Sequence, residues 1–201
     1  AALALGRAGA ARGGVCVGDS MTRTGGRQSY PAKLERLADG WTALNLGYGG
    51  TTAMATAPGT QYRVRGFEQY DATPNTADAW VLMFGTNDAR LDFWNATEFS
   101  TALEDLGAEF EARGGRVVLA APPPYIGHHP KLGDPVTSPI NGELSEIVAA
   151  VAGRRRWAFE DAYAAFGGLD DADAALFDED GLHLNEAGSE VLAVAILGAL
   201  D

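Results

Sequence analysis

The chain contains one cysteine, Cys16, in 201 residues. A lone thiol can neither close an intrachain disulfide nor supply a cysteine-based metal site. In the strand-like run Val15-Cys16-Val17 it reads as a small buried hydrophobe. Histidine is scarce as well, with three residues: His128, His129 and His183. His128 and His129 are adjacent, and two neighbouring rings seldom serve one metal without further ligands. Asp170, Asp171, Asp173 and Asp178 do not follow the calcium-loop pattern. Hence no metal and no cofactor are expected. Positive charge is short too: 15 Lys and Arg stand against 27 Asp and Glu, a formal net charge of -12. Phosphate recognition wants a basic face, so no nucleic-acid partner is expected. Anionic membrane surfaces are disfavoured for the same reason. Long apolar runs are missing. The longest, from Val191 to Leu200, has the length of a core helix rather than a membrane span.

What is present suits one globular domain. Hydrophobic residues make up 46% and charged residues 21%, and this length can bury a sizeable core. Residues 13–201 read as a single domain behind an Ala-rich tail, residues 1–12, whose apolar stretch is too short for a complete signal peptide. Asn95-Ala96-Thr97 fits a glycosylation sequon and, equally, a helix N-cap. Tail and sequon tilt the expectation toward a soluble, secreted protein while leaving the compartment open. Oligomeric state is not legible.

Apolar runs alternate with amphipathic stretches. Val15 to Val17, Thr42 to Leu46, Ala79 to Phe84, Arg116 to Ala121 and Trp157 to Glu160 read as strands. Between them, Ser29 opens a helix with Pro31 in its first turn. Phe99, Leu103, Leu106 and Phe110 form the stripe of a helix from Ala96 to Arg113. Ile140, Leu144, Ile147 and Val151 line another, with Gly153 as its stop. Asn185 caps a last helix over Glu186 to Leu200. A helix near Val64 to Gln69 is also expected, and a polar loop from Thr22 to Gln28. Strands alternating with helices predict an α/β domain with a parallel sheet. Right-handed crossovers place all strand carboxyl ends on one edge, where ligands bind in open α/β sheets. That edge collects Ser20, the Gly-rich loop Gly47 to Thr52, Asn87, and the long loop that follows Pro122-Pro123-Pro124.

Nucleophilic acyl transfer needs a hydroxyl, a base within reach of it, a group orienting the base, and donors for the oxyanion. Ser20 offers the hydroxyl. His183 is a natural base, because imidazole titrates near neutrality. Asp180, three residues earlier, can reach back across a turn and hold its tautomer. The backbone N–H groups of Ser20 and Gly50 and the side-chain amide of Asn87 are candidate donors. Trp94, Tyr125 and His128 are candidate substrate contacts. Asp19 and Asp88 read as turn- and loop-fixing carboxylates. Thr22 rules out the G-x-S-x-G elbow of α/β-hydrolases.

In order and spacing, Gly18-Asp19-Ser20, Gly50, Gly85-Thr86-Asn87-Asp88 and Asp180-Gly181-Leu182-His183 resemble the four blocks of the SGNH (GDSL-type) hydrolase superfamily. The likeness spans nearly the whole chain. It implies a flavodoxin-like three-layer α/β/α sandwich with a five-stranded parallel sheet in order 2-1-3-4-5. It also implies ester hydrolysis with Ser20 as nucleophile, Asp180 and His183 completing the triad, and an oxyanion hole from Ser20, Gly50 and Asn87. The expected partner is a small-molecule ester, and the compact size and the Phe84-to-Ala89 pattern resemble acetylesterase types acting on carbohydrates or simple esters. The acidic residues before His183 favour neutral over anionic substrates. Two other readings stay open: a lysophospholipase or thioesterase of the same superfamily, and a non-catalytic glycan-binding module on the same fold.

Overall fold

The structure is a computed structural model and describes residues 12–25, 28–55, 74 and 76–200. The helix expected near Val64 to Gln69, and nearly all of the tail, lie outside the described residues. Five strands form one sheet: β1 (Arg12–Gly18), β2 (Trp41–Gly47), β3 (Ala79–Met83), β4 (Arg116–Ala121) and β5 (Ala158–Asp161). Their spatial order is β2-β1-β3-β4-β5, and every pairing is parallel. This is the order and sense that the family resemblance implies.

The central strand β3 is buried at all five positions, as a strand covered on both faces must be. Side chains alternate between two cores, because neighbours along a strand point to opposite faces. Val15, Val17, Trp80, Leu82, Val117 and Leu119 meet α3 (Ala96–Ala112) and α4 (Leu144–Arg155) through Phe99, Leu103, Phe110 and Val148. Cys16, Val81, Met83, Val118 and Ala120 meet α2 (Tyr30–Leu37) and α6 (Glu186–Leu200) through Tyr30, Leu34, Leu192 and Ile196. Helices thus cover both faces, which completes the three-layer sandwich.

Caps fix where the helices begin. The Asn95 side chain accepts from Glu98 N at 3.0 Å. Asn185 Oδ1 accepts from Ala187 N at 2.9 Å and Gly188 N at 3.1 Å. Two expectations need correction. The polar stretch after Ser20 begins with a helical turn, α1 (Ser20–Arg23), because the Asp19 side chain caps Met21 N at 2.9 Å. Gly153 does not stop α4, which runs on to Arg155 and ends at Arg156 in the left-handed conformation, φ 58°. Glycine costs a helix only about 1 kcal/mol relative to alanine, and burial of Val148, Val151 and Ala152 outweighs it. A further turn, α5 (Ala162–Ala165), follows β5 directly.

Candidate active site

All five strands end on one edge of the sheet, and three segments meet there. β1 stops at Gly18, and Asp19 carries the chain out of the sheet, so Ser20 becomes the first residue of α1. The loop after β2 is tied down by Asn45, whose amide donates to Thr22 O at 2.9 Å while its Oδ1 accepts from Gly47 N at 2.9 Å. Gly50, in this loop, has φ +78° and open space where a Cβ would stand. A residue with a side chain would be strained there and would intrude on the approach to the backbone N–H. The loop after β3 holds Asn87, whose Nδ2 donates to Thr51 O at 3.1 Å and to Asp19 Oδ2 at 3.4 Å.

His183 arrives from the far end of the sequence on a tight loop closed by the Phe177–Leu184 bridge. Asp178 N donates to His183 O at 2.8 Å, and Ile126 N donates to Gly181 O at 2.9 Å. The second bond docks this loop onto the chain that leaves β4. Gly181 has φ +62°, and a Cβ there would lie 2.6 Å from the Gly127 Cα. Only glycine fits such a contact, so the Gly181–Gly127 approach fixes how deeply the His183 loop seats.

The result is a continuous hydrogen-bonded chain. His183 Nε2 lies 2.9 Å from Ser20 Oγ, and His183 Nδ1 lies 2.6 Å from Asp180 Oδ2. The other carboxylate oxygen of Asp180 accepts from Leu182 N at 3.0 Å and His183 N at 2.9 Å. Partial burial pushes the Asp180 carboxyl up, but the bonds from the His183 ring and the two amides outweigh it, and the net shift is downward. Asp180 is therefore an ionised acceptor. It assigns the proton to Nδ1 and leaves Nε2 free to accept from Ser20.

Two more carboxylates sit just beneath. Asp19 is 1% exposed, and burial pushes its carboxyl up to about 6. Hydrogen bonds from Met21 N, Thr86 and Asn87 and the nearby His183 pull the other way. Asp88 is pushed up to about 7, chiefly by burial, with the Met54 amide opposing and the Asp19 charge adding to the rise. Its Oδ1 accepts from Met54 N at 2.9 Å, while its Oδ2 has no partner among the described residues.

Above Ser20 and His183 opens a cleft of about 1180 Å³, and Gly50, Asn87 and His128 also line it. Asp178, Glu179 and Asp180 are among the lining residues, and so are Arg90, His129 and Lys131. The acidic residues expected near His183 are therefore accompanied in the lining by basic ones. Arg90 and Lys131 went unforeseen, because what joins them is a long-range bond, Leu91 N to Lys131 O at 2.9 Å, which no local spacing announces. Two expected substrate contacts do not line the cleft. Trp94 turns its Nε1 to Glu143 Oε1 at 2.8 Å and packs on Phe99. Tyr125 is fully buried, and its hydroxyl accepts from His129 N. Both rings found apolar partners and polar anchors, Glu143 for Trp94 and His129 N and Gly133 O for Tyr125. Among the described residues, no group of three or more His, Cys, Asp or Glu converges as a metal site would require. No described helix is long and apolar enough to cross a membrane.

The fold has well-matched counterparts. A catalytic mutant of an acetylxylan esterase from Geobacillus stearothermophilus superposes with a TM-score of 0.73 at 22% identity, over 96% of this chain and 95% of that one. A carbohydrate acetylesterase from Sinorhizobium meliloti gives 0.71 at 22%, over 94% and 100%. An inhibitor-bound aryl esterase from M. smegmatis gives 0.75 at 21%, over 94% and 98%. At such identities the likeness speaks for the fold. No curated protein matches the sequence. The pattern of the GDSL-like lipase/acylhydrolase family, however, matches residues 16–191, from the middle of β1 into α6. With the SGNH fold and this family pattern running through nearly all of its length, the chain belongs to the GDSL-like lipase/acylhydrolase family and is a carboxylic ester hydrolase.

Proposed function

We propose that this hydrolase is a serine esterase that removes short, acetyl-type acyl groups from neutral esters, with acetylated carbohydrate as the favoured class. The observation that carries the reading is the unbroken chain from Ser20 Oγ through His183 to Asp180, opening into the cleft. Ser20 Oγ attacks the ester carbonyl carbon, and its proton passes to His183 Nε2. Asp180 holds the imidazole and stabilises the imidazolium. The carbonyl oxygen, now negatively charged, is met by the N–H groups of Ser20 and Gly50 and by the Asn87 amide. The bond to the alcohol then breaks, and Nε2 returns the proton to the departing oxygen. Water repeats the sequence on the acyl-enzyme, giving the free acid and restoring Ser20.

Short acyl groups are the reading we favour, because the apolar side chains of the cleft, Phe93, Ile126, Leu132, Phe177 and Leu182, share its lining with the charged Arg90, Lys131, Asp178, Glu179 and Asp180. A long alkyl chain needs a continuous apolar channel to repay its burial. The similar folds of an acetylxylan esterase and a carbohydrate acetylesterase point the same way.

A fluorophosphonate is expected to add once per chain, with the adduct on Ser20, and Ser20→Ala is expected to abolish both labelling and hydrolysis of p-nitrophenyl acetate. Activity that survives Ser20→Ala would overturn the mechanism. A higher kcat/KM for p-nitrophenyl decanoate than for the acetate would overturn the acyl preference alone.

A further inference from the structure

We propose that Asp19 is a positioning residue whose ionised carboxylate holds the Asn87 amide in the orientation that the oxyanion hole requires. The proposal rests on the reading of Ser20 as nucleophile and Asn87 as oxyanion donor.

A primary amide has two N–H bonds. In the resting site Asn87 Nδ2 has two acceptors, Thr51 O at 3.1 Å and Asp19 Oδ2 at 3.4 Å. The two differ in kind. The contact with Thr51 has ordinary hydrogen-bond length and pins the amide to the loop that bears Gly50. The contact with Asp19 lies at the outer limit for a hydrogen bond, so it can aim the N–H and still yield it. When negative charge develops on the carbonyl oxygen, the loosely held N–H can be shared between it and Asp19, while the Thr51 contact keeps the amide plane in place. A group already aimed is what preorganised stabilisation needs.

Asp19 suits this task through its valence. It faces three donors: Met21 N at 2.9 Å, the Thr86 hydroxyl and the Asn87 amide. One carboxylate supplies acceptor oxygens for all of them. Asparagine has one oxygen, so Asp19→Asn must turn an N–H group either toward Met21 N or toward Asn87, donor against donor. Burial pushes the Asp19 carboxyl up to about 6, and the Met21 N, Thr86 and Asn87 donors favour its ionised form. The orphaned oxygen of the adjacent Asp88 adds a contrast: that carboxyl holds the Met54 backbone and aims at nothing in the cleft.

The test is a double-mutant cycle on p-nitrophenyl acetate. Asn87→Ala alone is expected to lower kcat by about 10²–10³ with little change in KM. Asp19→Asn is expected to lower kcat by about 10–100-fold, again with KM nearly constant. In the Asn87→Ala background the same Asp19→Asn change is expected to cost less than about threefold, because no amide is left to position. Asp19→Ser keeps a side-chain oxygen to cap Met21 N, as serine does at helix starts, yet cannot span to Asn87. It should match Asp19→Asn in kcat, and because it sets no donor against Met21 N it should melt above Asp19→Asn, which keeps the test open if that variant fails to fold. Independent, multiplicative losses in the cycle would overturn the proposal and leave the Ser20 reading intact, as would normal kcat in Asp19→Ser. Undiminished kcat in Asn87→Ala would overturn the oxyanion reading beneath it.

Discussion

Asp19 and Asp180 both neighbour the Ser20–His183 pair and live in opposite environments. The side chain of Asp180 is 49% exposed and lies 2.6 Å from His183 Nδ1; its carboxyl is shifted down. Asp19, next to Ser20 in the chain, is buried and shifted up to about 6. The contrast shows how one functional group can be assigned two tasks by surroundings alone. Asp180, half in water, keeps its charge because the bonds from the His183 ring and the Leu182 and His183 amides outweigh its partial desolvation, and it commits one oxygen to the imidazole. A buried carboxylate keeps its charge only through the donors around it. Every oxygen of Asp19 is therefore engaged in holding backbone and amide, and none is free for the ring. In the proposed mechanism, environment separates orienting the base from orienting the oxyanion donors.

The largest expected effect breaks this division at its exposed end. Asp180→Asn keeps an oxygen for the Leu182 and His183 amides, so its N–H group must face His183 Nδ1. The ring proton then moves to Nε2, where it opposes the Ser20 hydroxyl instead of accepting from it. A loss in kcat of about 10⁴ is expected, with an unchanged melting curve, since the site of change is half in water. Steady-state kinetics and a thermal melt check it. If kcat stays within tenfold of wild type, Asp180 is not the orienting carboxylate and the division between the two aspartates falls.

The sequence carried the Ser20, Asn87, Asp180 and His183 pattern because each lies within a short run whose spacing is fixed by a turn. Asp180 reaches His183 across three residues, and Ser20 follows a strand end marked by Gly18-Asp19. The parallel sheet was legible from alternation, and its 2-1-3-4-5 order from the family resemblance. What was not legible depends on contacts between distant segments. Asp19 meets Asn87 across 68 positions, and Trp94 finds Glu143 across 49. Tyr125 looked like a cleft residue because its loop borders the cleft, but its ring turned inward to anchor that loop. Whether a ring faces substrate or core is decided by packing, which local spacing does not encode. The overrun of α4 past Gly153 has the same origin: burial of its neighbours outweighed a weak local preference.

The last expectation sharpens the contrast at the buried end, through stability instead of rate. Asp88 lies below Asp19, pushed up to about 7 from an ordinary 3.8, mainly by burial. Below pH 3.8 the folded and unfolded chains both hold the proton, and its contribution is fully present. As pH rises the unfolded chain releases the proton first, so the folded state binds more and stability falls. Beyond about pH 7 the contribution is gone. Asp180, shifted down, has the opposite sign: its contribution is present above 3.8 and is lost as pH falls. Asp88→Asn keeps an oxygen for Met54 N and cannot ionise. It places an N–H group where Oδ2 finds no partner, which costs about 1–3 kcal/mol at every pH alike. The melting temperature of the variant relative to wild type is therefore expected to rise from about pH 4 to about pH 7 and then level off. About 1 kcal/mol corresponds to roughly 2–4 °C for a domain of this size, so a rise of a few degrees is expected. Because Asp88 does not line the cleft, kcat should stay within about threefold. A difference that is flat with pH, or that shrinks as pH rises, would mean that Asp88 is already ionised in the fold and that burial does not govern the carboxylates beneath Ser20.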